Sequence, residues 1–126
     1  MNENRTVLII EDNKSWIDAL SLFFERKGFH TTKVSNYRIA HDKILECKYD
    51  LALIDIRLDD SNVLNIDGID LLDLISRKYP STKRVLLTAY PENIRKEAIY
   101  KNADNVLVKG NSSVFSSLKE IVSDLN

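Results

Sequence analysis

Asp50-Leu51-Ala52-Leu53-Ile54-Asp55 decides how this chain folds, because a short apolar run delivers a carboxylate at its end. A run of that length, rich in Leu and Ile, is a strand buried on both faces, as in a parallel sheet covered by helices on each side. Ligands of such sheets sit beyond the carboxyl ends of the strands, so Asp55 projects into the working crevice. Taken alone, an acid after a single strand more often only shapes a turn.

Toward the N-terminus, Thr6-Val7-Leu8-Ile9-Ile10 is a second such run, and it ends in Glu11 and Asp12. Asn13 caps a helix carrying Trp16, Ile17, Leu20, Phe23 and Phe24 at helical spacing, closed by Lys27-Gly28. Those aromatics read as core rather than as a binding platform. Phe29 to Val34 is a weaker strand, an edge with His30, Thr32 and Lys33 turned to solvent. Ser35 or Asn36 starts a helix with Ile39, Ala40, Ile44 and Leu45 on one side.

Toward the C-terminus, an acidic, Asn-rich segment from Arg57 to Asp67 is closed by Gly68 before a helix bearing Ile69, Leu72, Ile75 and Tyr79, which Pro80 ends. Val85-Leu86-Leu87-Thr88 is the fourth strand, followed by Ala89-Tyr90 and a polar helix opening at Pro91. Val106-Leu107-Val108 is the fifth and runs into Lys109-Gly110. The last helix starts near Asn111-Ser112-Ser113 and presents Val114, Phe115, Leu118, Ile121, Val122 and Leu125. Five strands alternating with five helices predict an α/β fold, a parallel sheet covered on both faces with right-handed crossovers.

The chain has 126 residues, the size of one domain spanning 1–126. With 18 basic against 19 acidic residues, it advertises neither direct nucleic-acid binding nor a polybasic membrane surface. The single Cys47 has no cysteine partner for a disulfide or a metal cluster, which points to a reducing compartment. Neither a signal-peptide core nor a run of transmembrane length is visible, so the expectation is a cytoplasmic protein with no membrane partner.

At one edge the predicted sheet collects Glu11 and Asp12, Asp55, Thr88 and Lys109 from four strands. Acids packed this closely repel unless one is protonated or a cation is bound. All-oxygen ligands in a partly hydrated crevice suit Mg²⁺, which keeps positions for water and phosphoryl oxygens. Lys109 and the Thr88 hydroxyl then supply the charge and hydrogen bonding that phosphoryl transfer requires. Each residue alone has an ordinary reading; the five together at one edge are hard to produce by turn chemistry.

In these residues the chain resembles the receiver domains of two-component response regulators, of the chemotaxis-receiver type. The resemblance runs from Thr6 to Leu125 and rests on Val7-Leu8-Ile9-Ile10-Glu11-Asp12-Asn13, Asp50-Leu51-Ala52-Leu53-Ile54-Asp55, Val85-Leu86-Leu87-Thr88-Ala89 and Val106-Leu107-Val108-Lys109. It implies a flavodoxin-like, doubly wound sheet of strand order 2-1-3-4-5. It also implies transfer of phosphate to Asp55 from a histidine kinase or phosphotransfer protein, with altered affinity for a downstream protein partner. By the same resemblance Asp12 and Asp55 bind Mg²⁺ with the Arg57 carbonyl, Glu11 acts through water, and Thr88 and Lys109 hold the phosphoryl group.

Four features depart from the family pattern. Leu58-Asp59 stands where Met-Pro is usual and Gly68 comes late, so the loop after Asp55 is enlarged. Val106 replaces the aromatic switch three positions before the lysine, and Gly110 replaces a proline and frees the backbone there. Tyr90 is large enough to shield an acyl phosphate from water. A calcium loop around Asn65-Ile66-Asp67-Gly68 fails, since Val63 and Leu74 fall at ligand positions.

Two other functions compete. A receiver-like adaptor acting without phosphorylation is favoured by Val106 and the long loop. An aspartyl phosphatase is disfavoured because Arg57 stands where its general acid belongs, so no enzyme is expected beyond self-dephosphorylation. The chain is either a stand-alone receiver or a piece of a longer protein. Homodimer formation is left open, since the faces of the last two helices cannot be read without contacts.

Overall fold

The computed structural model describes residues 5–56, 67–89, 102–110 and 113–125, with only the backbone of Asp67. Strands β1 (Thr6–Ile10), β2 (His30–Val34), β3 (Leu51–Asp55), β4 (Lys83–Thr88) and β5 (Asn105–Val108) form one sheet of order β2-β1-β3-β4-β5. Every neighbouring pair is parallel. Helices α1 (Lys14–Arg26), α2 (Tyr37–Glu46), α3 (Asp67–Lys78) and α4 (Val114–Ser123) cover it. The helix expected from Pro91, and the loop from Arg57 to Ile66, lie outside the described residues.

The pleat sorts the strands' side chains between two cores. Val7, Ile9, Leu51, Leu53, Val85, Leu87 and Leu107 pack with α1 and α4 residues such as Leu20, Phe24, Leu118 and Ile121. Leu8, Ile10, Ala52, Ile54 and Leu86 pack with Ala40, Ile44, Leu71, Leu72 and Ile75 of α2 and α3. All five residues of β3 are buried, as its apolar run predicts for a strand in the middle of the sheet.

The end of α1 is set by Gly28 at φ +89°, where residues with a Cβ are strained. Phe29 N–H donates to the Phe24 carbonyl and Gly28 N–H to that of Glu25, each at 3.0 Å, and the Phe24 and Phe29 rings meet edge to face at 5.2 Å. This closure turns the chain into β2. There His30 and Lys33 are exposed as expected of an edge, but Thr32 is only half-exposed.

Two helical expectations are corrected. In α2 only Ala40 and Ile44 are buried; Ile39 and Leu45, each 47% exposed, sit one residue outside that stripe and so about 100° away from it. Gly68 lies inside the first turn of α3 rather than closing the loop before it. Its N–H donates to the Ile56 carbonyl at 2.8 Å, and a Cβ there would lie 2.6 Å from Ile56 Cα, against the backbone that carries Asp55. A glycine is needed because helix and strand end touch backbone to backbone.

Candidate functional site

The alternation that builds the cores continues one step past the strands. Glu11 and Asp55 have the same parity as Ile9 and Leu53, and Lys109 that of Leu107, so all three lean toward the α1 and α4 side. Backbone hydrogen bonds hold these overhanging residues in register: Glu11 N–H to the Val34 carbonyl at 2.9 Å, Ile56 N–H to Leu87 at 3.0 Å, and Lys109 N–H to Thr88 at 2.7 Å. The sheet therefore positions the charged residues by the same ladder that pairs its strands.

Lys109 Nζ lies 2.8 Å from Glu11 Oε1 and 3.0 Å from Oε2, and 3.3 Å from Asp55 Oδ2. All three side chains are at most 10% exposed. The two short contacts assign the lysine's charge to Glu11, whose Oε2 also accepts the Asn13 N–H at 3.0 Å. Asn13 in turn caps α1, its Oδ1 accepting the Trp16 N–H at 3.0 Å. The start of α1 is thereby tied to the acids.

Burial, reinforced by the Glu11 charge and opposed by Lys109, pushes the Asp55 carboxyl up from its ordinary 3.8 to about 8. For Lys109, burial alone lowers the ammonium's pKa, but the hydrogen bond to Glu11 and the charges of Asp55 and Glu11 outweigh it and the net shift is upward. The lysine's shorter contacts are to Glu11 and its longer one to Asp55.

Glu11, buried Asp55 and half-buried Asp12 each offer a carboxylate oxygen, and these oxygens lie within 4.8 Å of one another. Three hard oxygen donors at that spacing fit a hard divalent cation such as Mg²⁺ better than a soft metal. Burial is the first cause of the upward push on Asp55, and the Glu11 charge adds to it, so a bound cation would favour the ionised carboxylate. Beside the acids an open depression of about 450 Å³ is lined by Glu11, Asp12, Lys14, Lys33 and Ser35 among others.

Of the other expected site residues, Thr88 is 3% exposed at the end of β4 and paired in register with Val108. Val106 is half-buried and faces the α2 and α3 core, on the opposite side of the sheet from Lys109. Arg57 and Tyr90 lie outside the described residues. Gly110 has φ +84°, a conformation closed to proline, so the departure from the family's proline is a conformational requirement here and not only a freer loop.

Sequence reasoning left two residues of the neighbourhood in the core or the loop: Trp16, whose ring lies 5.5 Å from Lys109 Nζ, and Gly68 beneath Asp55. A glycine at the start of a helix pattern was a visible signal; nothing in the sequence pairs Trp16 with Lys109.

A family model described as the response regulator receiver domain matches residues 7–121. Among curated proteins, a cyclic di-GMP phosphodiesterase of Thermotoga maritima is 30% identical over 105 residues, which are 82% of this chain and 27% of that protein. The chain spans about a third at most of the curated relatives it matches. A CheY-like receiver domain of Methanospirillum hungatei superposes with TM-score 0.81 at 23% identity, covering 97% of this chain and 93% of that one. The response regulator TrrA of Thermotoga maritima, in complex with Mg²⁺ and BeF, gives TM-score 0.80 at 26% identity, covering 97% and 99%. Among the described residues no helix is long and apolar enough to cross a membrane.

Proposed function

The chain belongs to the response regulator receiver domain family, and from that premise we propose that it is a phosphoacceptor signalling domain taking a phosphoryl group on Asp55 from a phosphohistidine donor. The observation that carries this reading is the meeting of Asp55, Glu11, Asp12 and Lys109 at the carboxyl ends of three strands. The donor is a histidine kinase or phosphotransfer protein, and the consequence is altered binding of a protein partner in the cytoplasm. The domain neither binds nucleic acid directly nor performs catalysis beyond removing its own phosphoryl group. The 126 residues act as one receiver unit.

In the transfer an Asp55 carboxylate oxygen attacks phosphorus in line. The new P–O bond forms as the donor's P–N bond breaks, and the imidazole nitrogen leaves with the electron pair and takes up a proton. Asp55 must be ionised to attack, and burial with the Glu11 charge opposes that ionisation by raising its pKa to about 8. Mg²⁺ held by Asp12 and Asp55, with Glu11 acting through water, would supply the positive charge that favours ionised Asp55 and offsets repulsion of the incoming phosphate. Lys109 shifts from Glu11 and Asp55 to a phosphoryl oxygen, and the Thr88 hydroxyl donates to another.

Incubation with Mg²⁺ and acetyl phosphate, read by intact-protein mass, tests the assignment: the parent gains one phosphoryl group and Asp55→Asn gains none. Equal labelling of the variant refutes Asp55 as acceptor. A second reading, an adaptor whose contacts ignore phosphorylation, is favoured by the long stretch of sequence between Asp55 and Gly68 and by Val106, a small side chain packed against the core where a rotating aromatic is usual. Partner affinity unchanged by phosphorylation would select it.

A further inference from the structure

Trp16 is the chain's single tryptophan and sits half-buried in the first turn of α1. Lys109 Nζ lies 5.5 Å from the centre of its ring, so the ammonium has carboxylates on two sides and an aromatic face on a third. The ring is itself held: Phe115 of α4 stacks on it at 6.2 Å with the planes 10° apart. From Phe115 the contacts continue to Phe23 at 5.7 Å, and Lys27 Nζ covers Phe23 at 5.7 Å. A line of rings thus runs from the site along the seam between α1 and α4.

We propose that Trp16 is a positioning residue for Lys109, fixing its ammonium beside Glu11 and Asp55, and that the Trp16–Phe115 stack passes the lysine's displacement to α1 and α4. A lysine stem is flexible and costs rotamer entropy to hold, which a cation–π contact inside a largely desolvated site offsets. Phosphoryl binding at Asp55 draws the ammonium toward a new oxygen and off the ring, and this inference rests on that reading of Asp55. Val106 cannot carry the movement, being a small residue on the other face of the sheet. Among the described residues, the surface this contact reaches is the α1–α4 seam.

Because Trp16 is the sole tryptophan, its emission reports on this contact. The full chain is titrated with beryllofluoride in Mg²⁺, with binding followed by fluorine NMR and the ring by fluorescence. The expected result is a saturable emission change with the same midpoint as the fluorine signal. Trp16→Leu, which keeps an apolar side chain but no ring face, should weaken beryllofluoride binding roughly three- to tenfold; Trp16→Phe should recover most of the loss. If Trp16→Leu does not fold, the parent's emission titration decides. Bound beryllofluoride with unmoved emission, or parent-like binding by Trp16→Leu, overturns the positioning role while leaving Asp55 as acceptor. No bound fluorine signal in the parent overturns the reading of Asp55 and this proposal with it.

Discussion

Replacing Asp55 by asparagine in metal-free buffer should make the fold more stable, although the residue is central to the proposed chemistry. The residue is 4% exposed and its carboxyl pKa is raised from 3.8 to about 8, chiefly by burial and then by Glu11. The unfolded chain ionises this group at pH 7 and the folded one does not. At about 1.4 kcal/mol per pKa unit, that difference costs the fold on the order of 4 kcal/mol at most. Asparagine removes the cost but also weakens the 3.3 Å contact with Lys109, so a net gain of about 1–3 kcal/mol is expected, or roughly 4–10 °C in Tm. The sign carries a pH signature. A carboxyl with a raised folded-state pKa destabilises progressively as pH rises from the unfolded value, and the cost levels off above the folded one. The advantage of Asp55→Asn should therefore vanish near pH 4, grow through neutrality and flatten above about pH 8. Urea denaturation in EDTA across that range measures it. A variant no more stable than the parent at pH 8, or an advantage that shrinks as pH rises, refutes the electrostatic account of the site.

Mg²⁺ should bind the parent more tightly at pH 8.5 than at pH 6.5, since the Asp55 proton must leave, and calorimetry in buffers of different ionisation enthalpy should detect proton release; pH-independent binding counts against the proposed ligand set. Gly68→Ala should lower stability by about 2–4 kcal/mol, because its Cβ would lie 2.6 Å from Ile56 Cα and neither backbone can yield cheaply; a Tm within a degree of the parent's would show that α3 shifts freely. Lys109→Ala should still bind Mg²⁺, since the acids remain, yet lose the phosphorylation-dependent change in partner affinity, and an unaltered change would remove Lys109 from the response.

What the residues alone could reveal follows from the range of the forces involved. Strands are legible because apolar runs such as Leu51-Ala52-Leu53-Ile54 can be buried in only one way, and the acids at their ends are legible because strand ends in this architecture share one edge. The helix closure at Gly28 is equally local, a matter of a few consecutive backbone groups. The exposure of Ile39 and Leu45 was not legible, since which two residues of a four-residue apolar side reach the sheet depends on how α2 is rolled against it.

For the candidate site, the sequence by itself determined the chemistry available at the rim: the carboxylates of Glu11, Asp12 and Asp55, the Thr88 hydroxyl and the Lys109 ammonium. Only the tertiary structure decided how these groups are arranged, with Lys109 bound more closely to Glu11 than to Asp55 and the Asp55 carboxyl pushed up by burial. It also decided that Trp16 lies against Lys109 and that Gly68 lies against the backbone of Asp55. Local pattern specifies which groups a strand end presents. Pairing among them depends on distances of a few ångströms between segments about a hundred residues apart, and packing alone sets those distances.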